Sequence, residues 1–296
     1  MTLSQLLAAF RIESGDLSIP QLWPDADVVG YLNEAEQEAA IRSWLLFDDS
    51  TAEICDFDTV VDQSAYALHE KVVEIRNAII SSTDYSRALK RTSRELLDDQ
   101  DDEWETWPAS TPEQYIQDET GIVLAAKPDD VYSINMAVFR LPLRDMALSA
   151  DVTFQDTGDT VTQTAHGRIG GDRVSFSVIT STTGIAIDTE YFIRDVTTDT
   201  YKLCAVEGGD AIALTTNGIG TATFGGNSPE IHSRHHRNLI DWALYRAYSK
   251  RDADGMNESK AAFHLALFER NFGLRPDANV ARKRRRPARQ VKAIGF

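Results

Sequence analysis

Only two cysteines, Cys55 and Cys204, occur in 296 residues, far apart and in different contexts. That scarcity excludes a disulfide-stapled scaffold and suits assembly in a reducing compartment. No window offers about 18 consecutive apolar residues, so no helix is expected to span a membrane. The opening residues, MTLSQLLAAFRIESGD, lack a basic n-region and a small-residue cleavage site, and no secretory signal is expected there. The common catalytic signatures are also missing: there is no GxSxG elbow, no Walker A loop, no Rossmann GxGxxG and no HExxH. Both cysteines sit in strand-like patterns, where a buried apolar thiol is the expected state. Acids are too numerous for any one pair to stand out as a glycosidase dyad. No catalytic residue, cofactor or metal is therefore expected.

What is present is an ordinary globular balance, 42% hydrophobic and 26% charged, with a net charge of −16. The charge is uneven. From Arg282 to Phe296 the chain reads RKRRRPARQVKAIGF, with seven Lys/Arg and no acid. Most of the surface is thus expected to repel nucleic acid, while this tail seeks acidic partners.

Three zones follow one another. In the first, residues 1–150, a short helix is expected at 3–13. A second starts at Pro24-Asp25-Ala26-Asp27, with Val28, Leu32, Ala35 and Ala39 as its apolar stripe, and runs to about Phe47. Then AEICDFDTV, SAYALH and VVEIRNAII read as strands, SRELLDD as a short helix, YIQDETGIVLAAKP as a hairpin around Thr120-Gly121, and VYSINMAVFRLPL as a further strand. The second zone, 151–228, holds 11 of the 17 glycines and no proline, tryptophan or methionine. Six short strands are expected there, DTVTQT, DRVSFSVI, TEYFIRDV, TYKLCAV, IALTT and GTATF, forming a small barrel or sandwich inserted into a host domain. The third zone, 229–281, is helical. One helix is expected from Pro229 to about Lys250, with Leu239, Ile240, Ala243, Leu244 and Ala247 carrying its packing. Another starts at Asn257 and ends at Gly273, with Ala261, Leu265, Phe268 and Phe272 on one face. The fold class expected is α+β: a discontinuous helical-bundle domain with a β element, 1–150 and 229–281, plus the inserted all-β domain.

Three features compete for a functional role. His232, His235 and His236 fall at helical spacing, but Arg234 and Arg237 surround them with positive charge, and no carboxylate or cysteine follows at ligand spacing. His235 continues the line of Ile231 and Leu239, so packing outweighs a metal-dependent enzyme. The run Asp98-Asp-Gln-Asp-Asp-Glu-Trp-Glu105 lacks the glycine and terminal glutamate of an EF-hand and reads as a solvated acidic loop, pinned by Trp104 and Trp107. The tail carries Arg282, Lys283, Arg284, Arg285, Arg286, Arg289 and Lys292 and closes on Phe296. It reads either as a solvated basic end or as a peptide that docks on an acidic partner surface, and its charge also permits salt-sensitive phosphate contacts.

The segments LNEAEQEAAIRSWLLFDD, YSRALKRTSRELLDDQDDEWET, TPEQYIQDETGIVLAAKPDD, VYSINMAVFRLPL and PEIHSRHHRNLIDWALYRAYSKRDAD, in that order, resemble the bacteriophage head-to-tail adaptor (connector) proteins across residues 25–147 and 229–275. The resemblance implies a non-enzymatic virion protein at the head–tail neck, assembled in the host cytoplasm as a homo-oligomeric, twelve-subunit ring beneath the portal protein. It implies that the ring extends the channel for double-stranded DNA, with no sequence-specific binding, and docks a downstream tail or nozzle protein. It also implies that residues 282–296 insert into the portal. The 151–228 stretch resembles a small β module of phage structural proteins. A rival reading makes that module a host-surface or glycan binder on a helical mount, although its Gly/Thr-rich strands lack clustered aromatics.

Overall fold

The computed structural model describes residues 1–251 and 255–277. The protein is α+β and includes a closed six-stranded barrel. It divides into two compact units, Met1–Glu36 with Arg144–Phe268, and Gln37–Leu143 with the chain from Glu269.

Helix α1 (Leu3–Ser14) starts with a capping box, in which Gln5 N–H donates to the Thr2 hydroxyl and Thr2 N–H donates to the Gln5 side chain. It ends at Gly15, which takes φ 77° and returns its N–H to Arg11 O at 3.1 Å. Helix α2 (Asp25–Ser43) opens with Asp25 and Asp27 in its first turn and buries Val28, Leu32, Ala35 and Ala39, the stripe read from the sequence. It stops at Ser43 rather than near Phe47, because Trp44 turns into the left-handed region at φ 51°.

In the second unit follow β1 (Phe47–Asp48), α3 (Ala52–Cys55), β2 (Asp56–Asp58), β3 (Ala65–Ala67), β4 (Val72–Ser81), β5 (Ser86–Ala88), β6 (Lys90–Arg91), α4 (Arg94–Asp98), β7 (Gln114–Gln117), β8 (Gly121–Leu124) and β9 (Ser133–Arg140). One sheet runs β1-β9-β4-β5 with β2 also on β9, and the other runs β3-β8-β7-β6. A core that includes Ile75, Ile80, Tyr115, Ile122, Leu124, Met136 and Val138 draws on both sheets. AEIC, expected as strand, is the helical turn α3. The Asp48 carboxylate accepts the Ser50 and Thr51 amides, and Ile54 and Cys55 return their N–H groups to Thr51 O. A strand partner is thereby denied to those amides. Trp104 and Trp107 pin the acidic loop onto the body, Trp104 buried with Leu97, Ile116 and Ala125 and Trp107 packed beside them, while their indoles donate within the loop to Asp98 and Asp101 at 2.8 and 2.7 Å.

The barrel belongs to the first unit and comprises β10 (Ser149–Gln155), β11 (Thr160–Thr162), β12 (Arg173–Thr180), β13 (Glu190–Arg194), β14 (Thr200–Cys204) and β15 (Gly218–Thr223). It closes in the order β10-β11-β14-β13-β12-β15, every pair antiparallel. Alternate residues point inward and build a core of Val152, Phe154, Val161, Val174, Phe176, Ile193, Tyr201, Leu203 and Ala222. Five of the six expected strands are present. IALTT is not a strand, because Asp159 takes the Leu214 amide at 2.8 Å. The sixth strand is β10, which straddles the compositional edge near residue 150.

The chain leaves the barrel through a 3₁₀ helix (Ser233–Asn238), and only then begins α5 (Leu239–Ser249). The continuous helix expected from Pro229 is thus ten residues shorter at its start than the sequence reading has it. Helix α6 (Glu258–Phe272) is capped by Asn257, whose side chain accepts Lys260 N–H at 3.0 Å, and is closed by Gly273 at φ 81°. Leu239, Ile240, Ala243, Leu244, Ala247, Phe268 and Phe272 are all buried. In the first unit Arg246 pairs with Glu34 and lies over the Tyr31 ring, and Lys250 pairs with Asp27, so α2 and α5 run antiparallel.

Gly220 shows how tightly the barrel wall is packed, since a Cβ there would sit 2.6 Å from both the Phe154 ring and Val178 O. Gly220→Ala is expected to cost about 1–3 kcal/mol through overpacking. Chemical denaturation measures this, and an unchanged midpoint would show that the wall yields freely.

Candidate functional site

The histidine segment is structural in its geometry. His232 caps the 3₁₀ turn, its Nδ1 accepting Arg234 N–H at 3.3 Å. His235 Nε2 accepts from Arg234 Nε at 2.9 Å. Burial, then the Arg234, His232 and His236 charges, push the His235 imidazole below its ordinary value. His236, not His235, is the buried one. A 3₁₀ helix repeats every three residues, which aligns His236 with Leu239 and leaves His235 off the apolar line. His236 Nε2 lies 2.8 Å from Ile231 O, and its Nδ1 lies 2.6 Å from the Met1 amine. Nε2 donates to Ile231 O, and Nδ1 faces both the Met1 amine and, at 3.0 Å, Met1 O. Among the described residues no group of three or more His, Cys, Asp or Glu is placed to hold a metal ion.

The two connections to the barrel meet on α2. Asn33 donates to Met146 O at 2.9 Å and accepts Met146 N–H at 2.8 Å, which holds the incoming strand. One helical turn on, Glu36 accepts Ile231 N–H at 3.0 Å, which holds the outgoing chain. Met146 also bridges Gly226, and Leu3 N–H donates to Asn227 O, so α1 joins the same junction. Glu36 is 1% exposed. Burial pushes its carboxyl up to about 7, against the Ile231 and Glu230 amides, with the Glu230 and Asp145 charges adding to the rise.

Two exposed apolar surfaces stand out. On the second unit, Trp44 stacks on Phe139 at 5.2 Å, and Phe47 meets Phe139 edge-on at 5.8 Å, facing it across the β1–β9 register. The Arg76 guanidinium lies over Phe47 at 5.5 Å. Trp44 is 39% and Phe47 44% exposed. On the first unit, the connection between α1 and α2 is folded around Asp16, which accepts from Arg11 and from the Leu22 and Trp23 amides. It turns Leu17, 72% exposed, and Ile19, 94% exposed, to solvent. Beside it runs a groove of about 380 Å³ whose lining includes Leu3, Leu7, Arg11, Asp25 and Leu148.

Residues 1–166 match the family model described as SU10 adaptor protein. The chain belongs to that family. The matched region takes in α1, α2, both sheets of the second unit and the first two barrel strands. It ends inside the barrel, before α5 and α6. The adaptor is thus a phage structural protein that associates with other virion proteins. No curated protein matches the chain.

The adaptor's other buried polar groups serve packing. Burial alone would raise the Asp48 carboxyl. The Thr51 and Ser50 amides, Arg140 at 2.7 Å and the Thr51 hydroxyl outweigh burial and hold it well below the usual carboxylate range. Cys55, its neighbour, is pushed up to about 11 by burial and then by the Asp48 and Asp56 charges, which keeps it a thiol. Cys204 is buried in β14 with its sulfur 3.4 Å from Phe192 O. No helix is long and apolar enough to cross a membrane among the described residues. The tail residues Arg282, Lys283, Arg284, Arg285, Arg286, Arg289, Lys292 and Phe296 lie outside the described residues. Neither exposed surface was read from the sequence, where Trp44 and Phe47 belonged to the extended α2 and Phe139 to an apolar strand.

Glu36 makes stability depend on pH in a stated direction. The folded carboxyl keeps its proton to about 7, against an ordinary value of 4.5, so the folded state binds more protons between those values. Stability therefore falls as pH rises through that window, by roughly 3 kcal/mol when complete. Glu36→Gln keeps the acceptor for Ile231 but removes the titration. Its advantage over the wild type in urea denaturation is expected to grow from pH 5 to pH 8 by about that amount. A pH-independent difference would show that Glu36 is already ionised in the fold.

Proposed function

We propose that this adaptor assembles as a twelve-subunit ring at the head–tail neck, beneath the portal protein, without enzymatic activity. The ring continues the channel for double-stranded DNA and presents a docking surface to a downstream tail or nozzle protein. The family match over residues 1–166 carries this reading. The net charge of −16 supports it, since an acidic channel wall repels backbone phosphates and leaves passing DNA unbound. Buried cysteine thiols and histidines engaged in structural hydrogen bonds fit a protein whose work is assembly. The basic segment 282–296 is the portal-docking element in this reading. It brings seven cations to an otherwise acidic chain and closes on apolar Val291, Ile294 and Phe296.

Electron microscopy of the purified protein mixed with its portal tests the ring directly, and the absence of any ring in that mixture defeats the proposal. Deletion of residues 282–296 is expected to weaken portal binding at least tenfold, more so at low salt, while leaving the melting temperature of the subunit unchanged. Portal binding that survives the deletion undiminished removes the docking role from that segment.

A further inference from the structure

We propose that the Trp44–Phe139–Phe47 ladder with Arg76 is a contact surface between copies of this chain, seated on the α1–α2 connection of the neighbouring copy. The inference rests on the ring reading and names the surfaces that close it.

Four observations carry it. The ladder has the composition of an interface centre, with tryptophan, phenylalanine and arginine side chains stacked on one another and left half in water. Trp44 holds a left-handed backbone, φ 51°, which a bulky residue adopts only at a cost. That conformation is what brings the indole back over Phe139 instead of continuing α2. Arg76 is exposed and forms no ion pair among the described residues, so its charge is open to a carboxylate from outside the chain.

The fourth observation is the counterpart. A ring that closes by rotation needs two different patches on each subunit, one meeting the other head to tail. The α1–α2 connection supplies the second patch. Leu17 and Ile19 project from a loop that Asp16 fixes from within, so little order is lost on contact. Pro20 and these aliphatic side chains suit the faces of aromatic rings. The Asp25 carboxylate pairs with Arg11 through Oδ1 at 2.5 Å, and its side chain, 46% exposed at the edge of the adjoining groove, leaves Oδ2 to meet Arg76 of the neighbouring copy. Aromatic and cationic on one side, aliphatic and anionic on the other, the two patches are complementary.

Photocross-linking in assembled particles tests the contact. With Trp44→p-benzoylphenylalanine in the full chain, irradiation is expected to give a denaturation-resistant product of twice the chain's mass, linked to a peptide within residues 12–25. A link to a different virion protein, a link to another stretch of this chain, or no link in particles that contain the chain each overturns the proposal. Ile19→Arg changes a side chain 94% exposed, so the subunit's melting temperature is expected to stay the same while the link is lost. A link of undiminished yield in that variant also overturns it. Images of the same particles' necks separate the two ideas. A ring without the link sinks the contact alone, whereas the link without a ring sinks the ring reading and keeps the contact.

Discussion

Asn33 and Glu36 stand one turn apart on α2, and through them that helix holds both strands of chain that lead to the barrel. Asn33 answers both hydrogen-bonding groups of Met146, as a neighbouring strand would, and Glu36 takes the amide of Ile231. Backbone groups buried at such a junction cost about 1–3 kcal/mol each if left unpaired. With them paired, the incoming and outgoing chains lie on one helix face. Much of the first unit follows from that. The Met146–Gly226 bridge sets the barrel mouth, Leu3 N–H finds Asn227, and Ile231 O is placed for His236. His236 in turn holds the start of α1 through Met1. Two polar side chains in an otherwise apolar stripe therefore organise helices and strands distant in sequence.

Periodicity made the long elements legible and left local hydrogen-bond competition hidden. Val28, Leu32, Ala35 and Ala39 mark the buried face of α2, and Asn257 and Gly273 bracket α6, because apolar spacing and caps act within one turn. Barrel strands show as alternation for the same reason. Two strand misreadings lie beside an aspartate that accepts backbone amides. Asp48 takes the Ser50 and Thr51 amides just before AEIC, whose Ile54 and Cys55 amides turn back to Thr51 O, and Asp159 takes the Leu214 amide within IALTT. Strand β10 escaped notice because composition changes in the middle of it. His235 and His236 exchanged roles because a 3₁₀ turn precedes α5, and its three-residue period shifts the buried position by one. The exposed ladder was invisible for a different reason. It forms where α2 ends early, and no residue type announces that Trp44 will leave the helix.

Asp48 and Glu36 show how little burial alone says about a carboxylate. Both are nearly inaccessible, yet their proton affinities move in opposite directions. Asp48 collects two amides, a hydroxyl and the Arg140 guanidinium, enough donors to replace the water it has lost. Glu36 has amide donors but faces two further carboxylates and no cation among its principal influences. Donor number and the sign of neighbouring charge decide the outcome. Neither arrangement activates a nucleophile. Asp48 makes the Cys55 thiol harder to ionise, the reverse of what a catalytic cysteine needs.

A closed barrel offers no unpaired strand to a partner, and capped helices leave few free backbone groups. Association through this part of the chain must then use side chains on outward faces. Many of those are acidic or hydroxyl-bearing, and like charges on neighbouring copies of a −16 chain would repel one another. In the proposed ring, contacts between copies are favoured where apolar surface or positive charge interrupts the acidic field. The ladder at Trp44 supplies both, and the loop at Leu17–Leu22 supplies apolar surface bordered by the half-exposed Asp25 carboxylate, which Arg11 holds on one oxygen. Repulsion over the rest of the surface disfavours other registers, so the acidic composition narrows the ways in which copies can meet.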